Sequence, residues 1–322
     1  MVGPSVGIVV LNYRTGELTI ECLRSVASEI ARIPTRVVVA DNASGDGSVQ
    51  RIGAAIATHG WGGWASVLPL ERNGGYAFGN NAGIRLHLES PDPPKMVMLL
   101  NPDTRVHPGA IESLAQFLEH HPTVGIVGSQ LEDAAGTRQA SGFRFHTIFS
   151  ELDGGLRLGL FSKLIEDRVV VLPPSAVARR VDWVSGAGMM IRRRVFDSIG
   201  FLDEGYFLYF EEVDFARRAA QAGWECWVEP RSRVMHLQAQ ATGVDGPKSK
   251  EKRRPTYWFD SRRRYFIKHH GRTYAVAADA VWAAGYLTWR ARRVLQGKPD
   301  PDPPKLFRDF ILNSVFAKGF RI

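Results

Sequence analysis

The chain has 322 residues, 44% of them hydrophobic and 23% charged, with a formal net charge of +8. That is the composition of an ordinary soluble globular protein with one or two domains and room for a sizeable core. Two distant cysteines, Cys22 and Cys226, exclude a disulfide framework and a zinc knuckle, and no apolar run reaches the roughly 18 residues needed to cross a bilayer.

In chain order, residues 6–11 form a continuous apolar, β-branched run, as a buried parallel strand does. No basic stretch precedes it, so no secretory signal is expected. Helical periodicity follows over residues 15–31, then a strand over 36–40, a helix over 48–58 and a strand over 66–70. Residues 76–88 read as a helix, 96–100 as a strand, 108–120 as a helix with proline in its first turn, and 124–131 as a fifth strand. Strands separated by crossover helices predict an α/β fold, a Rossmann-like and mostly parallel sheet with helices on both faces.

The order changes after residue 131. Residues 143–180 read as an irregular insert and 183–191 as a strand punctuated by glycine. Residues 212–222 are helical up to Gly223, and 224–228 and 234–236 read as two short strands. Beyond Gly243 the composition turns to Lys, Arg and Pro. The expected division is therefore 1–243, with a nucleotide-binding half (1–131) and an acceptor half (132–243), followed by a basic helical region, 244–322.

Residues 247–322 hold 18 Lys+Arg against 6 Asp+Glu, a net of +12, which leaves residues 1–246 at −4. A basic region on a mildly acidic body predicts a contact surface for an anionic membrane or acceptor, with a solvated tail as the alternative. The body carries no nucleic-acid-binding motif, so no nucleic acid is expected as partner. Residues 257–270 interleave aromatics with Arg262, Arg263, Arg264 and Lys268, as an amphipathic segment resting on anionic lipid would. The expected location is cytoplasmic, peripheral on the inner face of the cell membrane.

Ligands of parallel α/β sheets bind beyond the carboxyl ends of the strands. There the chain carries Asn12-Tyr13-Arg14, Asp41-Asn42, Glu71-Arg72-Asn73 and Asn101-Pro102-Asp103. Asp103 can give carboxylate oxygen to a hard divalent cation that shares its shell with phosphates, although Asn-Pro-Asp is also a common turn. His236, after a strand, can add an imidazole nitrogen or serve structure alone. Glu211, Glu212 and Asp214 follow four apolar residues at a helix start. Acidic residues favour that end of the helix dipole, but a carboxylate shielded from water also gains proton affinity and suits general-base work. The glycine-rich stretch 73–83 opens a helix where an anion such as diphosphate can bind. It is neither the dinucleotide fingerprint nor a Walker loop, which argues against a dehydrogenase and a P-loop ATPase. Asp41 can accept from the N–H of a pyrimidine, whereas Asp46 belongs to a turn.

Together, Asn-Tyr at 12–13, Asp-Asn-Ala-Ser at 41–44, Asn-Gly-Gly-Tyr-Ala-Phe-Gly-Asn-Asn at 73–81 and Leu-Asn-Pro-Asp at 100–103 resemble the family 2 glycosyltransferases of GT-A fold, bacterial rhamnosyltransferase-like members above all. The resemblance runs over roughly residues 5–240. It implies that Asn12, Tyr13, Arg14 and Asp41 with Asn42 hold the nucleotide, and that Arg72, Asn73 and Gly75 line the ribose and diphosphate. Asp103 would be the last carboxylate of the Asp-x-Asp metal motif, Asn101 standing at the first, and His236 its histidine partner for Mg²⁺ or Mn²⁺. Trp183, Ser185 and Gly186 would lie on the acceptor side, and Glu212, with Glu211 as competitor, would be the base.

The implied reaction is a single displacement with inversion. It moves a sugar, L-rhamnose from dTDP-rhamnose by resemblance, onto a hydroxyl of a glycan or lipid-linked acceptor in cell-envelope synthesis. A sugar-phosphate nucleotidyltransferase is the nearest rival, but residues 9–16 lack its basic, glycine-rich triphosphate loop. A non-catalytic nucleotide-sugar-binding module would have little use for Glu211, Glu212 and His236 together.

Overall fold

A computed structural model describes residues 5–237 and 252–322. The chain runs β1 (Val6–Asn12), α1 (Gly16–Ala27), β2 (Thr35–Asp41), α2 (Ser48–Thr58), β3 (Ala65–Pro69), α3 (Gly75–Leu88), β4 (Met96–Leu100), β5 (Thr104–Val106), α4 (Ala110–His120) and β6 (Val124–Glu132). It continues with β7 (Gly142–Phe143), α5 (Ile148–Leu156), α6 (Gly159–Leu164), β8 (Arg179–Val181), β9 (Trp183–Val184), β10 (Gly188–Arg192), α7 (Arg193–Ile199), α8 (Glu211–Gln221) and β11 (Glu225–His236). The last helices are α9 (Thr256–His270), α10 (Arg272–Leu295), α11 (Leu306–Asn313) and α12 (Val315–Lys318). Residues 5–143, 173–207 and 211–237 form one unit, and residues 144–172, 208–210 and 252–322 a second.

The first unit is built on a sheet ordered β3-β2-β1-β4-β10-β6-β11-β5, with β8 added along β11. Among the described residues six of its nine strands share one direction, and β5, β8 and β10 oppose them. Val6, Ile8, Val9 and Val10 on β1 and Val97, Met98 and Leu99 on β4 are fully buried on both faces of the sheet. That double burial explains why these strands read as unbroken apolar runs. Helix α1 turns Thr19, Cys22, Leu23 and Val26 inward at helical spacing. The start of α4 is held from a distance, since buried Glu29 accepts the N–H of Gly109 (2.6 Å) and of Ile111 (3.1 Å).

Several expectations change. Strand β10 inserts antiparallel between β4 and β6, so the expected fifth strand is not the neighbour of the fourth. The two short strands expected at 224–236 are one, β11, whose register on β6 shifts between Glu229 and Arg233. The irregular insert contains α5 and α6, the former opened by a capping box between Thr147 and Ser150. Residues 144–172, read as part of the acceptor half, belong to the second unit. The boundary expected near residue 243 lies outside the described residues.

In the second unit the segment read as resting on lipid is α9, and its Phe259, Arg262, Tyr265 and Phe266 are buried. The Arg262 guanidinium donates to Glu151 Oε2 at 2.6 and 2.9 Å and to Asp279. A cation held between two buried carboxylates is committed to the unit's interior, so this face of α9 does not meet a membrane. Helix α10 packs Trp282, Tyr286 and Trp289 against Phe259 and Phe310. No helix among the described residues is long and apolar enough to cross a membrane.

Candidate active site

Asn12 and Asp41 end neighbouring strands and face each other in register. Asn12 is fully buried and fully engaged. Its Nδ2 donates to Asp41 Oδ1 (2.6 Å) and Ser44 Oγ (3.2 Å), and its Oδ1 accepts from Thr15 N, Thr15 Oγ1 and Thr19 Oγ1. The side chain of Asn12, expected on the nucleotide, is thus taken up by Asp41, Ser44, Thr15 and Thr19. Asp41 also accepts from Ser44 Oγ (2.6 Å) and Ser44 N (3.0 Å). A carboxylate offers about four acceptor sites, so its orientation is set while capacity for a further donor remains. The half-exposed Tyr13 lies under the Arg14 guanidinium, 5.2 Å from ring centroid to Cζ, and Arg14 N donates to Ser44 Oγ. Arg14 (φ +58°) and Ala43 (φ +55°) flank this pocket in the left-handed region, a strain that clusters at functional sites.

Asn42 Nδ2 donates to Asn73 Oδ1 (2.8 Å) and Gly75 O (3.1 Å). Its Oδ1 is buried with no hydrogen-bond partner among the described residues. Such an acceptor costs about 1–3 kcal/mol unless something donates to it. The start of α3 is less open than expected: Gly75 N donates to Asn73 Oδ1 (3.0 Å) and Tyr76 N to Phe207 O (2.7 Å). The first amides are thus already used. Gly75 is required for another reason. Its φ is +90°, and a Cβ there would stand 2.1 Å from Phe207 O. Arg72 remains exposed, its guanidinium 4.6 Å over the Phe78 ring.

Tyr76, absent from the expected site residues, is where the rest of the site meets. Its hydroxyl donates to Gly186 O (2.9 Å), and a Cβ on Gly186 would come within 2.3 Å of that oxygen. Burial pushes the phenol well above its ordinary pKa, and the charges of Glu212, Glu211 and Asp103 push it further in the same direction. Three carboxylates from two chain segments thus bear on one side chain. The Gly-Gly-Tyr at the mouth of a helix was a visible signal, but nothing in the linear order pairs it with residue 186.

Asp103 is buried, its Oδ1 3.3 Å from His236 Nε2. The ladder between β5 and β11 puts Thr104 opposite His236, and Leu237 N donates to Asp103 O (3.0 Å). Asn101 holds the preceding turn: its carbonyl accepts from Thr104 Oγ1 (2.6 Å) and its N–H donates to Ala187 O (3.3 Å). At the start of α8, Glu211 and Glu212 each hide an Oε2 with no hydrogen-bond partner among the described residues. Burial raises both carboxyls above the ordinary glutamate range, and for Glu211 the charge of Glu212 adds to it. Two non-glycine residues with positive φ, Tyr209 (+70°) and Phe210 (+67°), lead directly into this pair. Asp214 is structural, accepting from Arg218 Nε (2.8 Å). On the expected acceptor side, Trp183 stacks on Phe143 with ring centroids 4.2 Å apart, and Ser185 Oγ accepts from Ala187 N (3.3 Å).

A largely parallel α/β sheet whose strand ends carry the Asn12–Asp41–Ser44 polar cluster, a carboxylate–imidazole contact and an acidic pair with buried Oε2 atoms has the architecture of a GT-A glycosyltransferase. The sequence matches the family described as "Glycosyltransferase like family 2" over residues 4–266, and the chain belongs to that family. It is 30% identical over 302 residues, 88% of each chain, to the N-acetylglucosaminyl-diphospho-decaprenol L-rhamnosyltransferase of Mycobacterium tuberculosis. Its fold is similar to GalNAc-T7 in complex with UDP, GalNAc and Mn²⁺ (TM-score 0.58, 15% identity, 92% of this chain and 59% of that one). It is also similar to the mannosyltransferase PcManGT from Pyrobaculum calidifontis with GDP-Man and Mn²⁺ (TM-score 0.53, 15% identity, 98% and 87%).

Proposed function

We propose that this glycosyltransferase moves L-rhamnose, with inversion, from a dTDP-linked donor to a hydroxyl of a polyprenyl-diphosphate-linked sugar. The observation that carries the catalytic part is the bearing of Glu211, Glu212 and Asp103 on Tyr76, with His236 beside Asp103. The relative named for rhamnosyl transfer to a decaprenol-linked acceptor supports the choice of sugar and acceptor.

In this reading Asp41 accepts the N–H of the base and Asn42 Oδ1 receives a donor hydroxyl that ends its isolation. Arg72 meets the diphosphate, and Glu212 removes the proton from the attacking acceptor hydroxyl. A base with raised proton affinity holds that proton well near neutral pH. Tyr76 keeps the 185–187 turn seated against α3. Asp103 and His236 supply the oxygen and nitrogen donors that suit Mg²⁺ or Mn²⁺, and no third His, Cys, Asp or Glu completes a cluster among the described residues. The rest of such a shell would fall to phosphate and water. When bound, a cation there neutralises charge on the departing nucleoside diphosphate. The basic second unit would meet an anionic membrane surface, where lipid-linked acceptors reside.

The test is product analysis with dTDP-, UDP- and GDP-sugars and a detergent-solubilised polyprenyl-diphospho-N-acetylglucosamine. A product one deoxyhexose heavier, formed from dTDP-rhamnose in preference to the others, is expected. Preferred transfer from a UDP- or GDP-sugar would overturn the donor assignment.

A further inference from the structure

Residues 208–210 belong to the second unit, whereas Phe207 before them and Glu211 after them belong to the first. The chain thus reaches the acidic pair at the start of α8 through a three-residue excursion. Tyr209 (φ +70°) and Phe210 (φ +67°) stand there side by side in the left-handed region. Large side chains are costly in that conformation, which persists only where surrounding contacts over-determine it.

Those contacts come from α9 and from His146. Tyr257, Ser261 and Tyr265 recur every four residues along α9 and so form one stripe on its surface. Each member meets one residue of the excursion. The buried Ser261 donates from Oγ to Leu208 O (2.9 Å). The Tyr257 ring stacks on Tyr209 with centroids 6.3 Å apart. The buried Phe210 ring lies 5.4 Å from the Tyr265 ring and 4.9 Å from the His146 ring. His146 in turn has its Nδ1 3.8 Å from Glu151 Oε1, while Glu151 Oε2 accepts from Arg262, the neighbour of Ser261 on α9. The buried ion network of the second unit therefore ties together the two elements that grip the turn.

The grip bears on the direction in which the chain enters α8. Glu211 and Glu212 each hide an Oε2 with no hydrogen-bond partner among the described residues. Those oxygens are aimed by the backbone that carries them rather than by a donor. Packing alone would be served by a turn of ordinary backbone. Two bulky residues held in the left-handed region directly before the acidic pair are a cost of the kind that clusters at active sites.

We infer that Ser261 is a positioning residue for the transfer step: with Tyr265 and His146 it locks the 208–210 turn, and the turn sets where the Glu211 and Glu212 carboxyls stand. The inference rests on the proposed reading that this pair supplies the base.

The experiment is steady-state transfer by the full chain from dTDP-rhamnose, or whichever nucleotide sugar the donor panel selects, to the detergent-solubilised acceptor. Ser261→Ala and Phe210→Leu are compared with the parent, and each is repeated in the Glu212→Gln and Glu211→Gln backgrounds. The first removes the hydroxyl that Leu208 O accepts, and the second keeps apolar bulk but loses both ring contacts. A base misplaced by a fraction of an ångström should lower kcat about tenfold or more, with KM for the donor unchanged and urea unfolding still cooperative. In the background that lacks the base, the same substitutions should cost less than about twofold, because nothing is left to misplace. Parent-like kcat in both Ser261→Ala and Phe210→Leu, with activity still lost in the glutamate variants, would overturn the inference alone. Equal losses with and without the base would also overturn it, by showing a general structural role. Parent-like turnover in both glutamate variants, or no transfer by the parent from any nucleotide sugar, would sink the proposed reaction and this inference together.

Discussion

Replacing Glu212 by Gln keeps the shape of the side chain and removes its basicity, and two opposite effects follow. General-base assistance is worth about 10²–10⁴-fold, so turnover should fall by that factor, about 3–5 kcal/mol on the barrier. Donor affinity, assigned in the proposed function to Asp41, Asn42 and Arg72, should be retained. The base works ionised, and burial raises the Glu212 carboxyl above the ordinary glutamate value of about 4.3. The acid limb of the parent's rate profile should therefore lie above that value and vanish in the variant's residual activity. Stability moves the other way. A carboxyl whose pKa is raised by folding contributes stability below its unfolded value, and loses it as pH rises through the folded value. At neutral and higher pH Glu212→Gln should thus be the more stable protein, because no charge is left to shield from water. The assays are single-turnover transfer across pH, donor titration by calorimetry, and urea unfolding of parent and variant. Turnover within tenfold of the parent, or an unchanged acid limb, would refute the assignment, and the same loss in Glu211→Gln alone would move the base one residue back.

Asp103→Ala should weaken donor binding in the presence of Mn²⁺ and leave metal-free binding unchanged, as parallel titrations would show; equal affinity with and without metal in the parent argues against the Asp103–His236 site. Gly186→Ala puts a methyl where only 2.3 Å separates it from the Tyr76 oxygen. The ring must withdraw by roughly 1 Å to reach ordinary contact and loses its hydrogen bond, so kcat should drop while circular dichroism stays that of the parent, and Tyr76→Phe should reproduce part of the loss. Arg262→Met strands Glu151 and Asp279 in the interior of the second unit and should cost about 3–5 kcal/mol in urea unfolding. Burial pushes the Glu151 carboxyl up, but Arg262 and then His146 more than offset it, so it stays below its ordinary value. The arginine's contribution is therefore present above the ordinary glutamate range and is lost as pH falls, and the variant's deficit should shrink in acid; a deficit constant with pH would refute the pairing.

Local chemistry explains what could be read before any coordinates. The apolar runs at β1, β2 and β4 are buried on both faces, so their residue types alone mark them as inner strands. Asp41, Asn101 and Asp103 follow such strands closely, so topology places them at the ligand-binding edge. The acidic pair at 211–212 and the histidine at 236 were recognisable as residue types, and Asp103 and His236 do lie in contact. What the linear order withheld was pairing at long range. An apolar run does not state its neighbour, and β10, more than 80 residues beyond β4, takes the place beside it. Periodicity in α9 showed aromatics and arginines together but not which face was inward. Only the partners Glu151 and Asp279, 111 residues before and 17 after Arg262, turned a lipid-facing reading into a buried ion network. Tyr76 and Gly186 make the same point at the site. A hydrogen bond across 110 positions depends on the packing of α3 beside the 185–187 turn. Residue type and spacing constrain neighbours a few positions apart, whereas contacts across a hundred residues arise only when the whole sheet has formed.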